Sequence, residues 1–168
     1  RIPMDFYYWN SLFECLFYPD ELGFTNGTIT SLAFYNNFID SPVNGDTKIW
    51  LGSTDQDNLS NGWIPSTQLT LVYDGNVIYP AGINTIIITL QTPYRHTNGN
   101  LVMMVQRPMD TQSYASGNNF QAQTVGTNRA RNIFDDFEAF DPANPPMTGV
   151  IISGQFPKTT IFLQNKVL

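Results

Sequence analysis

Apolar and polar residues alternate along most of this chain in short runs that are bounded by turn-forming residues. Successive side chains of an extended strand point to opposite faces, so this alternation predicts strands with one apolar face. The clearest run is residues 83–90, which places Ile86, Ile88 and Leu90 on one face and threonines on the other. Further strands are predicted at residues 2–9, 11–18, 28–38, 47–53, 69–73, 101–106, 120–125, 129–134, 150–153 and 159–163.

Two of the predicted strands, residues 28–38 and 101–106, are apolar on both faces. In the first of them, Ile29 is expected on the face opposite to Leu32 and Phe34. Apolar side chains on both faces are typical of a strand that is covered on both sides. We therefore expect these two strands in the interior of the fold.

The same alternation predicts which side chains of two other strands face the core. Ile49 and Leu51 are expected to point inward, and Trp50 is expected to point away from the core. The residues expected to face inward from the following strand are Leu69, Leu71 and Tyr73.

Five Asn-Gly or Asp-Gly pairs punctuate the chain, and such pairs favour β-hairpin turns because both residues tolerate a positive φ angle. The pairs begin at Asn26, Asn44, Asn61, Asp74 and Asn98. One short turn of helix is predicted at residues 19–23, and no helix longer than a turn or two is expected. We predict that residues 1–168 form a single all-β domain, an antiparallel two-sheet β-sandwich of jelly-roll type, with a closed barrel as the alternative.

The composition of the chain indicates the location in which the protein functions, inside or outside the cell. Charged residues make up 13% of the chain, whereas an ordinary globular domain has about 25%. The polar surface must therefore come from Asn, Thr, Ser and Gln, a balance that favours an extracellular protein. The chain begins at Arg1 rather than at an initiator Met, so we expect a mature product or a fragment, and we favour a processed secreted protein. We expect an extracellular location, either secreted or at the cell surface.

Charge narrows the range of partners. The net charge is −6 with only eight Lys and Arg residues, and binding phosphates requires clustered cations, so no nucleic-acid partner is expected. The acidic balance also disfavours anionic lipid, and no apolar run approaches the ~20 residues that span a bilayer, so no membrane insertion is expected. The expected partners are other protein chains, including copies of this one, or surface glycans.

Residues for catalysis are scarce. His96 is the only histidine, so a Ser-His or Cys-His nucleophile would have to use it, and we interpret it as a solvated turn residue. Cys15 is the only cysteine and lies in an apolar run, so we interpret it as a small buried hydrophobic residue. The acids of residues 135–141 share one loop, whereas a glycosidase needs two carboxyl groups at a set separation on rigid elements. No catalytic residue is predicted.

Loop acids could instead bind a hard cation, because calcium accepts carboxylates and carbonyls from loops without strict geometry. The predicted ligands are Asp40, Asn44 and Asp46; Asp55 and Asp57, or the acids of residues 135–141, are equally plausible sets, and none of them matches the EF-hand pattern. Plain solvated acids are the competing interpretation. No cofactor is expected to be required. A structural calcium ion is the one bound ion that we keep as a hypothesis.

Four aromatic residues lie off the predicted inward faces or near turns and are the predicted ligand-binding residues. They are Trp50, Trp63, Tyr79 and Tyr94. Flat exposed rings stack on sugar faces, and neighbouring Asn, Gln and Asp side chains supply hydroxyl partners. The alternative is that these rings pack under loops or between protomers.

Several segments of the chain resemble a known kind of module. They are residues 3–8, 17–23, 27–35, 47–52, 92–94, 99–105 and 156–160. Together they are similar to the β-sandwich modules of Bacteroidetes-type secreted surface proteins that accompany fibronectin type III and cleaved-adhesin (haemagglutinin-like) domains. The resemblance implies an extracellular adhesive or accessory β-sandwich, and it carries no catalytic residues.

Three functions follow as hypotheses. The first is a non-enzymatic extracellular adhesion or surface-structure module. The second is a self-assembling filament or sheath subunit that uses terminal strands, because the aromatic first strand and the apolar segment 160–168 could add to the sheet edge of a neighbour. The third is a carbohydrate-binding module.

Overall fold

The computed structural model describes residues 1–164. Within this range the chain forms twelve strands, one turn of α-helix and one turn of 3-10 helix at Ser66–Gln68. The other elements are β1 (Asn10–Phe17), α1 (Pro19–Leu22), β2 (Gly27–Phe38), β3 (Asp46–Thr54), β4 (Thr70–Asn76), β5 (Gly82–His96), β6 (Asn100–Arg107), β7 (Asn119–Phe120), β8 (Ala122–Thr124), β9 (Ala130–Asp135), β10 (Ile151–Ser153), β11 (Gln155–Pro157) and β12 (Thr159–Leu163).

The strands form two main antiparallel sheets. The large sheet has the order β10-β9-β1-β6-β3-β4, and the small sheet has the order β12-β2-β5 with β7 also paired to β2. A short ladder of β8 and β11 completes the sheet structure of the described residues. The predicted all-β fold with packed antiparallel sheets is confirmed, and the jelly-roll connectivity stays a prediction.

The main core lies between the two sheets and contains the inward faces that the alternation predicts. Ile86, Ile88 and Leu90 of β5 face Ile49 and Leu51 of β3 across this core. The cluster reaches from the N-terminal segment to β11, so the described residues share one continuous core.

A second apolar layer covers the outer face of the large sheet. Loops 55–69 and 136–150 fold over this face and bury two smaller clusters. Their buried members are Leu12, Trp50, Met104, Ile133 and Phe140 in one cluster and Leu16, Leu59, Ile64 and Val102 in the other. Every residue of β6 is therefore buried, which confirms the prediction for residues 101–106.

Two bulges change the predicted faces. A register shift between Ile29 and Ser31 turns Ile29 into the main core with Leu32, where the alternation placed it on the opposite face. In β4 the bulge opposite β3 turns Val72 inward and leaves Leu71 42% exposed, so the predicted inward position of Leu71 is wrong. A bulge adds one residue to one strand, and every side chain beyond it changes face.

The prediction of tight hairpins at the Asn-Gly and Asp-Gly pairs is wrong. The Asn98 pair joins β5 of the small sheet to β6 of the large sheet, and the Asp74 pair lies inside β4 opposite Thr47 and Lys48. Within residues 1–164, successive strands that do pair are joined by long loops, residues 55–69 between β3 and β4 and residues 136–150 between β9 and β10. None of the pairs therefore closes a tight hairpin, and the Asp74 pair lies within a strand.

The predicted strand at residues 2–9 is also wrong, although Ile2, Met4 and Phe6 are buried in the main core. The Asp5 carboxylate accepts hydrogen bonds from the backbone N–H groups of Tyr7 (3.0 Å) and Tyr8 (3.3 Å), and the Asp5 N–H donates to Ser11 Oγ. Side chains thus take the place of a partner strand and bend the backbone into a turn.

Candidate functional site

The loop between β3 and β4 carries the most exposed cluster of polar groups next to an aromatic ring. Hydrogen bonds to its backbone hold it on the large sheet. Ile64 N–H donates to Glu14 Oε1 (2.6 Å), and Arg131 donates to the carbonyl oxygens of Leu59 (2.5 Å) and Ser60 (3.1 Å). These bonds turn the loop backbone inward, so its polar side chains face solvent.

Further bonds hold the outer part of the loop. The Tyr18 hydroxyl donates to the carbonyl of Asp57 (2.5 Å), and the Asn100 amide donates to the carbonyl of Gln56 (2.7 Å). A rigidly held loop loses little conformational entropy when it binds a ligand. These bonds hold the loop backbone in place against its neighbours.

Two adjoining recesses lie on either side of Trp63, and we call them together the Trp63 recess. The first, of about 370 Å³, is lined by Asp55, Gln56, Asp57, Asn58, Asn61, Gly62 and Trp63. The second, of about 260 Å³, is lined by Asn61, Gly62, Trp63, Pro65, Ala143, Asn144, Pro145 and Met147. The loop 136–150 thus supplies the far wall, which local sequence does not indicate.

The Trp63 ring is partly exposed and has a set orientation. Its indole Nε1–H donates to the carbonyl of Pro146 at 2.9 Å, and the ring packs beside the cluster that contains Trp50. The groups around it are amides and carboxylates. Amides both donate hydrogen bonds to hydroxyl groups and accept them, and carboxylates accept them. This arrangement suits a ligand with an apolar face and several hydroxyl groups.

The other predicted aromatic residues lie elsewhere. Trp50 points away from the main core as predicted, but the covering loops leave it only 8% exposed. Tyr79 is 1% exposed in the main core, where its hydroxyl bonds to Thr47 Oγ1 at 2.8 Å. The prediction that these two rings are exposed is therefore wrong, and their contact with a ligand stays a prediction without support from their burial. Tyr94 is partly exposed on β5 and hydrogen-bonds Ser53 Oγ at 2.8 Å.

The predicted calcium ligands fall into two groups. Asn44 Oδ1 and Asp46 Oδ1 converge on one point, where the Asn76 amide donates to both at 3.0 Å. Asp40 instead faces Asn118, whose amide donates to Asp40 Oδ1 at 2.5 Å. Within residues 1–164, no group of three or more His, Cys, Asp or Glu side chains is placed to hold a metal ion. Calcium stays a prediction, with Asn44 and Asp46 as its closest pair of ligands.

His96 is buried, so its interpretation as a solvated turn residue is wrong: β5 extends through it. Its Nδ1 hydrogen-bonds Ser53 Oγ at 2.9 Å, and burial lowers the pKa of the imidazole. A serine beside an imidazole is one of the arrangements used in nucleophilic catalysis, but neither residue lines the Trp63 recess. Cys15 is buried as predicted, and burial raises the pKa of its thiol.

The acids of the 135–141 loop form turns. Asp135 Oδ2 accepts from the backbone N–H groups of Phe137 and Glu138, both at 2.7 Å, and Asp141 Oδ1 accepts from that of Ala143 at 2.9 Å. The carboxylates therefore replace backbone partners in the loop that covers the large sheet.

Glu14 is the functional group that sequence reasoning missed. It lies on β1 with its side chain fully buried under the loop, opposite Arg131 of β9. Desolvation raises the pKa of Glu14 to about 8, against the opposing effects of the Ile64 N–H and the Arg131 charge. The available signal was a lone carboxylate inside the apolar run of residues 12–17, on a strand that is buried on both faces.

Comparison of the chain with protein-family models, with curated proteins and with solved structures gives no match in any of the three. No helix among residues 1–164 has the length and the hydropathy needed to cross a bilayer. The functional conclusion therefore depends on the geometry of the site and on the sequence.

Proposed function

We propose that this protein is a non-enzymatic extracellular module of the adhesion or surface-structure class, and that it binds neutral carbohydrate in the Trp63 recess. The observation that carries the proposal is the orientation of Trp63, whose indole N–H is bonded to Pro146 so that the ring stands between two open recesses. Aromatic rings of this kind stack on the apolar faces of sugars.

The polar lining supports a neutral ligand. Asn58 and Asn61 offer amide groups, Asp55 and Asp57 offer acceptors, and the lining contains no Lys or Arg that would bind a phosphate or carboxylate ligand. The low content of charged residues and the resemblance to secreted surface modules support an extracellular setting. A glycan of the cell surface or matrix is the ligand class that fits all three observations.

A glycan array that displays neutral plant, fungal and bacterial oligosaccharides tests the proposal, followed by calorimetry on any oligosaccharide that binds. Trp63→Ala is expected to weaken binding by about tenfold, the equivalent of about 1.4 kcal/mol of lost stacking. Asn61→Ala, which alters an exposed side chain of the recess, is expected to weaken binding without changing the melting temperature.

Trp9→Ala is the matched control, because Trp9 is also partly exposed but packs on Phe137 outside the recess. It should bind the same oligosaccharides as the wild-type protein. An array without any bound glycan, or an equal loss of affinity in the Trp9 and Trp63 variants, would refute the assignment.

A further inference from the structure

β5 is the longest strand of the fold, with 15 residues, and among residues 1–164 it pairs with β2 alone. Every second backbone N–H and C=O of such an edge strand points away from its neighbour and can bond to another strand. Near its C-terminal end β5 is joined to β4, where the Gln91 side chain exchanges hydrogen bonds of 2.9 and 3.0 Å with the backbone of Asp74. At the other end, the Asn84 amide donates to the carbonyl oxygens of Pro80 (3.1 Å) and Ala81 (3.2 Å). Between Asn84 and Gln91, no strand of the described residues pairs with this edge.

The open part of this edge forms one wall of a groove of about 550 Å³, which we call the β5 edge groove. Its lining consists of Asn84, Thr85, Ile86, Ile87, Ile88 and Thr89 on β5 and of Tyr73, Asn76, Val77, Ile78 and Pro80 opposite. Ile78 and Ile87 are 81% and 59% exposed, whereas Ile86 and Ile88 are buried in the main core. An occupant would therefore extend the small sheet rather than fill a gap in the core.

The other sheet edges carry features that discourage pairing. β10 has only three residues, and β12 has a register shift between Phe162 and Leu163 with Lys158 beside its start. β4 carries Asp74, which lies 3.9 Å from the Lys48 ammonium. Short length, bulges and charges are the usual protection of sheet edges against association. The open part of β5 has none of them.

Charge indicates what covers this edge. The chain has no charged side chain between Asp74 and Arg95, and none of the residues that line the groove is charged. At the rim of the groove the Asn76 amide donates to the Asp46 carboxylate at 3.0 Å. A charged partner segment would lose hydration in this groove and find no opposite charge there. A second β5 is uncharged, extended and rich in β-branched side chains, so it meets the requirements of the groove.

We propose that two copies of this chain associate through the β5 edge groove, with their β5 strands paired antiparallel about a two-fold axis. Residues that face each other in an antiparallel pair share a face, so Ile83, Thr85 and Ile87 of one copy face the same set in the other. Cross-strand pairs of β-branched residues stabilise such pairing by about 0.2–1 kcal/mol each. The contact is isologous and therefore closes at the dimer.

The dimer is expected to be weak, because a single strand pair buries less than the ~1,200 Å² of a standard interface. Sedimentation equilibrium of the whole chain from about 10 µM to about 1 mM covers the affinities of such interfaces. The wild-type protein should pass from monomer to dimer over this range. Dimerisation should strengthen at higher salt, because salt screens the repulsion between two copies of net charge −6.

Ile87→Lys is the test variant, because it adds one charge to the open edge at a side chain that already faces solvent. It should weaken dimerisation by about tenfold or more. Ile151→Lys is the matched control: Ile151 is 47% exposed on β10, the edge strand of the other sheet, and this variant should dimerise as the wild-type protein does. Circular dichroism confirms that each variant is folded, and Ile83→Lys replaces Ile87→Lys if the latter is not.

Four results would overturn the proposal. They are a wild-type protein that stays monomeric at about 1 mM, equal weakening by Ile87→Lys and Ile151→Lys, growth beyond the dimer, and a dimer whose amides at residues 82–90 exchange hydrogen as fast as those of the monomer. The glycan-binding proposal is tested separately, because Trp63→Ala lies outside the groove and should leave dimerisation unchanged.

Discussion

Replacing Glu14 by Gln removes a buried carboxyl group while keeping the size and shape of the side chain. Glu14 Oε1 accepts the Ile64 N–H at 2.6 Å, and the amide oxygen of Gln can accept the same bond. Among the described residues Glu14 Oε2 has no hydrogen-bond partner, so the amide nitrogen that replaces it adds an unpaired donor. At a pH where Glu14 is neutral, its protonated Oε2 is itself an unpaired donor, so the exchange should change the free energy of unfolding by only about 1 kcal/mol or less.

The effect of pH follows from the raised pKa. Folding moves the pKa of Glu14 from its ordinary value of 4.5 to about 8, so the folded state binds this proton more tightly than the unfolded state does. The contribution of Glu14 to the free energy of unfolding is therefore largest below pH 4.5 and is lost as the pH rises toward 8. Each pH unit corresponds to about 1.4 kcal/mol, which gives a total loss of about 5 kcal/mol across this window.

Urea unfolding of both proteins at intervals from pH 5 to pH 9 measures this effect. The difference between the two free energies of unfolding isolates Glu14, because Asp5 and His96, whose pKa values are also shifted, are present in both proteins. The variant should be about as stable as the wild-type protein at pH 5 and more stable at pH 9. Glu138→Gln, which neutralises an exposed acid, should give a nearly constant difference. Parallel pH profiles of wild-type and Glu14→Gln protein would refute the raised pKa.

Three further predictions concern the packing and the metal hypothesis. Trp50→Ala should lower the free energy of unfolding by about 3–5 kcal/mol in a urea titration, because it opens a cavity under the covering loops; a loss below about 1 kcal/mol would contradict its buried position. Gly45→Ala should destabilise by about 3 kcal/mol or more in the same assay, because a Cβ there would lie 1.8 Å from the Val77 carbonyl oxygen, and unchanged stability would show that this close approach is absent. Calcium bound at Asn44 and Asp46 should make the melting temperature higher in calcium than in EDTA for the wild-type protein but not for Asp46→Asn; equal melting of the wild-type protein in both buffers refutes that site.

The local pattern of the sequence predicted most strands because the two-residue period is set by the backbone of each strand. β2, β3, β6 and β12 lie within a few residues of their predicted positions, and β5 begins at its predicted start but continues to His96. The pattern failed at residues 2–9, where Asp5 supplies hydrogen bonds that a neighbouring strand would otherwise supply. It also failed at β11, a three-residue strand too short to show any alternation.

Turn chemistry was a weaker guide to connectivity. An Asn-Gly pair permits a tight turn, but the partner of the next strand depends on residues far away in the chain. β5 and β6 flank the Asn98 pair and still belong to different sheets. The φ angles at such a pair therefore restrict the conformation of the turn. They do not determine which sheet the next strand joins.

For the candidate site, the sequence alone determined that Trp50 points away from the main core and that Trp63 lies in a polar loop. Only the tertiary structure decided that Trp50 is covered while Trp63 stands open. The alternation of side chains reports the face of a strand, whereas burial depends on what packs against that face. Here the covering layer comes from loops 55–69 and 136–150, and such long-range packing leaves no periodic signal in the residues that it covers.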